Sequence, residues 1–377
     1  MIMKQEITDL TIARAIFAAW VFIYHVDLYL NFSAWLGPFA GLIRHGYMGV
    51  DGFFILSGLI LARVHPELGA SLRAQWGAVK FRPPAFRLVL AFWGKRLARI
   101  YPVHLATLFI LGLLVAGGIM HGVVPRDPGR FGLPALVQNL FLVQGWGDAS
   151  QGAWNYPSWS VSAEWAGYLL FPVLWYLLSY MIDYVAIQIL IVAFAVMVLI
   201  TLLHHGSYNL TFSLGLVRFF PEFIIGICSA RFVALCADMA ALRRAALWGG
   251  VGFWFIGAAT GVDGLALLGI WLVLFAFLMQ ADTQLPPVLG QRPLLHRFGL
   301  LSYSFYMSFA VAELVTCQWF RHQGWTPASH GGLFALLMLG LTLALALLLH
   351  MGVELPARRL AGRWLASPPP PVHAKAG

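Results

Sequence analysis

Charge is what this sequence has least of: only 10% of its 377 residues are Asp, Glu, Lys or Arg, against about 25% in an ordinary soluble domain. That scarcity excludes a water-soluble core, because 60% of the residues are hydrophobic and mean hydropathy is +0.79. A 41.7 kDa chain of this make-up would expose most of its apolar excess to water, whereas a bilayer solvates it without penalty. Cysteine is nearly missing as well. Cys228, Cys236 and Cys317 fall in or beside apolar stretches with no metal-ligand spacing, which argues against a disulfide framework or a metal site and makes them packing residues. The first apolar stretch contains Arg14, Tyr24 and His25 and has no convincing small-residue cleavage site, so it reads as a retained helix rather than a secretory leader.

What the sequence does have is long apolar runs, broken by polar, Pro or Gly punctuation. They fall near 9–30, 47–64, 97–119, 160–178, 184–203, 216–235, 245–261, 264–280, 298–320 and 332–352. This predicts an all-α polytopic membrane bundle of about ten transmembrane helices over residues 1–366, followed by a Pro-rich disordered tail over 367–377. Residues 120–159 are rich in Gly, Pro and Trp and too irregular for a simple span; they form an outer loop or a partly re-entrant segment. With the N-terminus inside, eighteen of the 24 Lys and Arg face the cytoplasm, five lie opposite and Arg14 sits within the first helix. This bias places both termini, and the tail, in the cytoplasm. The net charge of +9 follows membrane sidedness, which disfavours nucleic acid as a partner and favours lipid.

A charge near the bilayer centre costs about 2.5–3.5 kcal/mol, so intramembrane ionisable residues are functional candidates. Arg14 and His25 are eleven positions apart, which at about 100° per residue returns to nearly the same helix face, and the rise separates them by about 16 Å. Asp51, about five residues into the second segment, and Glu164, about four into the fourth, are expected at a depth similar to His25. A neutral His held by a carboxylate is the usual general base for removing a hydroxyl proton. Neither carboxylate is singled out: Asp51, beside Gly49 and Gly52, also suits helix packing or capping. Glu164 belongs to a polar stripe with Ser160 and Tyr168 at every fourth position. On the cytoplasmic side, Arg96 and Arg99 are three apart on one face and can clamp phosphate oxygens, although the same pair suits a headgroup anchor.

These segments together resemble the acyltransferase 3 family of bacterial membrane O-acyltransferases. Arg14 and His25 match its Arg-x10-His motif. Gly49-Val-Asp51-Gly-Phe53-Phe54-Ile-Leu-Ser57-Gly58 is similar to its Gly-Val-Asp-Leu-Phe-Phe-Val-Leu-Ser-Gly segment, and Arg96-Leu-Ala-Arg99 to its Arg-x-x-Arg. Trp159-Ser160-Val-Ser162-Ala-Glu164, Ser302-Tyr-Ser-Phe-Tyr-Met-Ser-Phe309 and Val353-Glu354-Leu-Pro356 continue the match in order. Phe309 stands where the family commonly has His. The chain ends soon after the tenth segment, so the esterase-like domain that some members append is not expected.

The resemblance implies a bacterial inner-membrane enzyme with no tightly bound cofactor. It would take acetyl-CoA or another acyl-CoA as cytoplasmic co-substrate and a sugar hydroxyl of an envelope glycan or lipid-linked precursor as acceptor, in the setting of a polysaccharide synthesis or export complex. Arg14, Arg96 and Arg99 would then hold the nucleotide end of the donor, with chemistry at His25 assisted by Asp51 or Glu164. Transfer could be direct or pass through a covalent acyl-enzyme, for which Ser57 is the alternative to consider. Asn155, Tyr156, Ser160 and Ser162 are candidate donors to the developing oxyanion. Intramembrane charges also mark solute pathways, so a transporter or flippase for a glycan-related solute is the competing reading.

Overall fold

A computed structural model of the protein describes residues 6–66, 68–70, 72, 83–123, 128–147, 153–204, 207–211, 214–236, 239–281, 283 and 286–365. Within them the regular structure is entirely helical. Ten long helices carry the fold: α1 (Thr8–Leu30), α2 (Gly49–Val64), α3 (Pro83–Met120), α4 (Trp159–Tyr180), α5 (Asp183–Leu203), α6 (Gly215–Cys236), α7 (Ala240–Thr260), α8 (Asp263–Ala281), α9 (Pro293–His322) and α10 (Gly331–Leu349). A π-helical turn, His350–Glu354, leads into a short final helix, α11 (Leu355–Trp364). The ten apolar runs of the sequence correspond to α1–α10 in order. Eight helical stretches of the described residues are long and apolar enough to cross a membrane; α6 packs along α2 and α7 along α8 to complete a polytopic membrane bundle. The Pro-rich tail 367–377 and, among the basic residues that set the sidedness, Lys4, Arg73, Lys80, Arg82, Arg126 and Lys375 lie outside the described residues.

Side-chain contacts fix the relative direction of the central helices. Ascending α1 and α9 run side by side, with Phe22 on Phe305 (5.3 Å), His25 on Phe309 (4.5 Å) and Tyr29 donating to Glu313 (2.6 Å). The end at which α1 starts is the lower end. Descending α2 returns along α1, and Phe53 meets Phe17 at 5.8 Å. The main crossings are built on glycine, as expected where lipid removes the hydrophobic drive between helices and close backbone approach must hold them together. A Cβ on Gly58 would lie 2.0 Å from the Phe223 carbonyl oxygen, and one on Gly226 2.1 Å from that of Ile55. Both obstacles are backbone, so no rotamer change relieves them. Gly58→Ala and Gly226→Ala should each lower the thermal midpoint in detergent micelles by an overpacking cost of about 1–3 kcal/mol. Gly252→Ala, whose Cβ would meet nothing within 4 Å, should leave it unchanged.

The irregular stretch between α3 and α4 re-enters the bundle. α3 climbs through Met120, yet the short helix Leu133–Leu140 that follows ends beside Tyr101, whose hydroxyl donates to the Leu140 carbonyl at 2.8 Å. Nineteen residues of helix separate Tyr101 from Met120, so the chain comes back down by nearly 30 Å. Its backbone is satisfied by buried side chains: Ser162 accepts from the Gly145 N–H (3.1 Å) and donates to the Leu142 carbonyl (2.7 Å), and His104 pairs with the Asn139 carbonyl (2.9 Å). Non-helical backbone at membrane depth is tolerated when protein groups replace the missing water in this way.

Candidate active site

A chamber opens between α1, α2, α3, α4 and α9. Three guanidiniums line it: Arg14 from α1 and, one helical turn apart, Arg96 and Arg99 from α3. The sequence places the two α3 arginines at the mouth of their segment; the helix instead begins at Pro83, so Arg96 is thirteen residues, about 20 Å, along it. The two α3 arginines therefore stand inside the bundle. Arg96 is fixed by a 3.1 Å contact between Nη2 and His65 Nε2 and by the Phe92 ring 5.6 Å from its guanidinium carbon. Facing them from α4 is Glu164, the one carboxylate lining the chamber. Its Oε1 accepts from Ser57 Oγ at 2.5 Å and from the Tyr168 hydroxyl one turn along α4.

Three cations against one carboxylate, in a pocket otherwise walled by Val50, Phe53, Phe54, Ile60 and Tyr303, make a low-dielectric site that lacks negative charge. Such a site suits an elongated ligand with anionic groups and an apolar arm. Buried Glu354, at the end of the π-helical turn, lies within electrostatic reach of Arg14 and Arg99. It accepts from Ser304 Oγ (2.7 Å) and from His350 Nδ1 (2.8 Å), with Arg358 Nη1 3.5 Å away.

His25 lies above the chamber and does not line it. Between them stand two rings of α9: Tyr306, which lines the chamber, packs at 5.6 Å on Phe309, which packs at 4.5 Å on His25. The helix itself sets the imidazole tautomer. His25 Nδ1 is 2.7 Å from the Val21 carbonyl oxygen, which can only accept, so the proton is on Nδ1 and Nε2 carries the free lone pair. That is the state a general base requires, reached through a backbone carbonyl rather than a carboxylate.

The expected convergence of His25, Asp51 and Glu164 is not what the fold provides. Asp51 faces α6, where Arg218 grips it with both Nε and Nη2 at 2.7 Å. The reason is the face it occupies: Asp51 shares a stripe of α2 with Ile55 and Gly58, which pack on α6, whereas Ser57 and Ile60 turn to the chamber. Glu164 is held by Ser57 and Tyr168, not by His25. Arg14, Arg96, Arg99 and Glu164 are thus brought together, while His25 and Asp51 occupy separate settings.

One carboxylate linked to the surroundings of His25 through Tyr156 is one the sequence reasoning passed over. Glu313, one turn above Phe309 on α9, accepts from the hydroxyls of Tyr29 and Tyr156, each at 2.6 Å, and the Tyr156 ring lies 5.7 Å from that of His25. The rule that flagged Asp51 applies equally to a carboxylate inside the 298–320 run.

The ten-helix bundle thus keeps a cationic chamber below a histidine whose Nδ1 is held by a backbone carbonyl. Residues 7–351 match the family described as "Acyltransferase domain". "Acyltransferase MdmB" of Streptomyces mycarofaciens is 30% identical over 355 residues, 84% of this chain and 82% of its own length. No solved structure matches. The chain belongs to the acyltransferase 3 family, and it is an integral membrane acyltransferase.

Proposed function

We propose that the protein transfers an acetyl or other short acyl group from cytoplasmic acyl-CoA to a hydroxyl of an envelope glycan or its lipid-linked precursor, with His25 as general base. The observation that carries this reading is the arrangement along one α1 stripe: Arg14 in the cationic chamber, and His25 about 16 Å above it with Nε2 free. The lower end faces the cytoplasm of an inner-membrane protein in this reading, consistent with the Lys and Arg bias.

In this mechanism Arg14, Arg96 and Arg99 hold phosphate oxygens of the donor, whose pantetheine arm extends upward past Ser57 and Glu164. The rings of Tyr306 and Phe309 turn aside to admit the thioester. An acceptor hydroxyl gives its proton to Nε2 of His25 as its oxygen attacks the thioester carbonyl; the C–S bond then breaks, and the thiolate recovers the proton from the imidazolium. The products are the ester and free CoA, with no net proton change. Glu164 serves as counterion and hydrogen-bond acceptor of the chamber, and Asp51 holds α2 to α6. Direct transfer needs no further group, and the Ser57 hydroxyl is already committed to Glu164.

Removing one donor clamp tests this. Arg99→Ala should raise the KM for acetyl-CoA about ten- to a hundred-fold, the range expected for charge-assisted hydrogen bonds, while leaving the KM for acceptor nearly unchanged. Unchanged donor KM in the purified, folded variant would show that the arginine serves topology alone. Solute movement across proteoliposomes without acyl-CoA turnover would instead favour a transporter.

A further inference from the structure

The transferase reading leaves open what holds the acceptor at His25. The imidazole is enclosed by three rings: Tyr24 at 5.0 Å, Tyr156 at 5.7 Å and Phe309 at 4.5 Å. With Nδ1 bonded to the Val21 carbonyl, only Nε2 faces the chemistry. Tyr156 is held at both ends. Its hydroxyl donates to Glu313, which the Tyr29 hydroxyl also reaches, and Arg130 sets its guanidinium carbon 5.2 Å from the ring centroid.

Packing alone does not call for these polar groups. Tyr29 and Tyr156 together donate two hydrogen bonds to Glu313, one to each oxygen, whereas an ionised carboxylate offers about four lone-pair sites. Arg130 has a buried Nε with no hydrogen-bond partner, over a ring rather than against a carboxylate. Tyr29 is 37% exposed, so one edge of the cluster reaches the surface of the bundle. Flat aromatic faces beside a carboxylate and a guanidinium with spare hydrogen-bonding capacity suit a ligand with apolar C–H faces and a rim of hydroxyls. A plain alkyl alcohol would leave Glu313 and Arg130 unanswered.

We propose that this cluster is the acceptor subsite, with the Tyr156 ring as part of its aromatic wall and Glu313 as the residue that aligns Tyr156 and receives neighbouring sugar hydroxyls. The proposal rests on the acyl-transfer reading and adds to it the recognition of the acceptor ring. Arg130 donates to the same ring from the re-entrant segment, so that segment supplies part of the site.

The test uses the full chain in lipid nanodiscs with acetyl-CoA as donor, octyl β-glucoside as sugar probe and 1-octanol as comparison. The wild type should acylate the glucoside with the higher kcat/KM. Glu313→Gln and Tyr156→Phe should each raise the glucoside KM by about ten-fold, the loss expected for a hydrogen bond to a charged group or the ring it aligns. The acetyl-CoA KM should stay at the wild-type value, which shows that the folded donor chamber is kept. A glucoside KM unchanged in both variants overturns the subsite alone, as does a wild-type preference for octanol. A wild type that acylates neither probe overturns the proposed transfer to a sugar hydroxyl and the subsite with it.

Discussion

His25→Ala should reduce kcat by about 10²- to 10⁴-fold, the contribution usual for a positioned general base, without changing the KM for acyl-CoA or the amount of protein in the membrane. The split follows from the geometry. His25 does not line the arginine chamber, so its loss leaves that chamber, the proposed donor site, intact. Truncation also removes packing against Phe309 and Tyr156, and a second substitution separates that effect from the chemistry. In His25→Asn the side-chain amide can still donate to the Val21 carbonyl that now takes the Nδ1 proton, but it offers no basic nitrogen. The Asn variant should therefore be as inactive as the Ala variant while unfolding at the wild-type temperature. Turnover within a few-fold of wild type in both would remove His25 from the proton transfer. The comparison is made by steady-state acylation of a glycan acceptor by purified protein.

The fold was legible because the bilayer imposes its own length scale: every apolar run of about twenty residues in this chain became a helix, from 9–30 in α1 to 332–352 in α10. That Arg96 and Arg99 line one chamber with Arg14 was legible for a similar reason, since helical periodicity alone puts Arg96 and Arg99 on one face. Depth was not legible to the same degree. α3 starts fourteen residues before the apolar run that marks it, so the arginines moved from the mouth of the bundle into its interior. Facing was legible still less. Asp51, Glu164 and His25 all lie toward the upper ends of their segments, but which neighbour each one meets depends on helix rotation, and that is set by the glycines that dictate close contact, such as Gly58 against Phe223. Arg218 and Glu222 were hidden by bookkeeping: counted from segment boundaries, Arg218 falls on the outer side, yet it is fully buried. Glu354 shows the opposite case. Its motif is plain in the sequence, whereas its partners Ser304 and His350 come from α9 and a π-helical turn that periodicity does not reveal.

Asp51→Ala should cost about 3–5 kcal/mol of stability, the penalty for stranding a buried charge, and should take activity down with folded yield rather than through kcat. The ion pair is closed off completely: Asp51 and Arg218 are both fully buried, their two contacts are each 2.7 Å, and the guanidinium carbon lies 5.6, 5.5 and 6.0 Å from the ring centroids of Tyr47, Trp159 and Tyr208. Glu222, one turn below Arg218, is also fully buried and belongs to the same charge cluster, in contact with Asp51 and within electrostatic reach of Arg218. Removing Asp51 leaves Arg218 no bidentate acceptor. Removing the whole set is a different matter, because desolvating charges costs about as much as pairing them returns, and an apolar replacement of similar volume is often neutral or stabilising. The variant Asp51→Leu with Arg218→Met and Glu222→Leu should therefore recover most of the thermal midpoint that Asp51→Ala loses, and with it wild-type kcat. Recovery of both would make Asp51 a joint between α2 and α6. A refolded but inactive triple variant would return Asp51 to the chemistry, and the α2–α6 pair would then have to be treated as part of the active site.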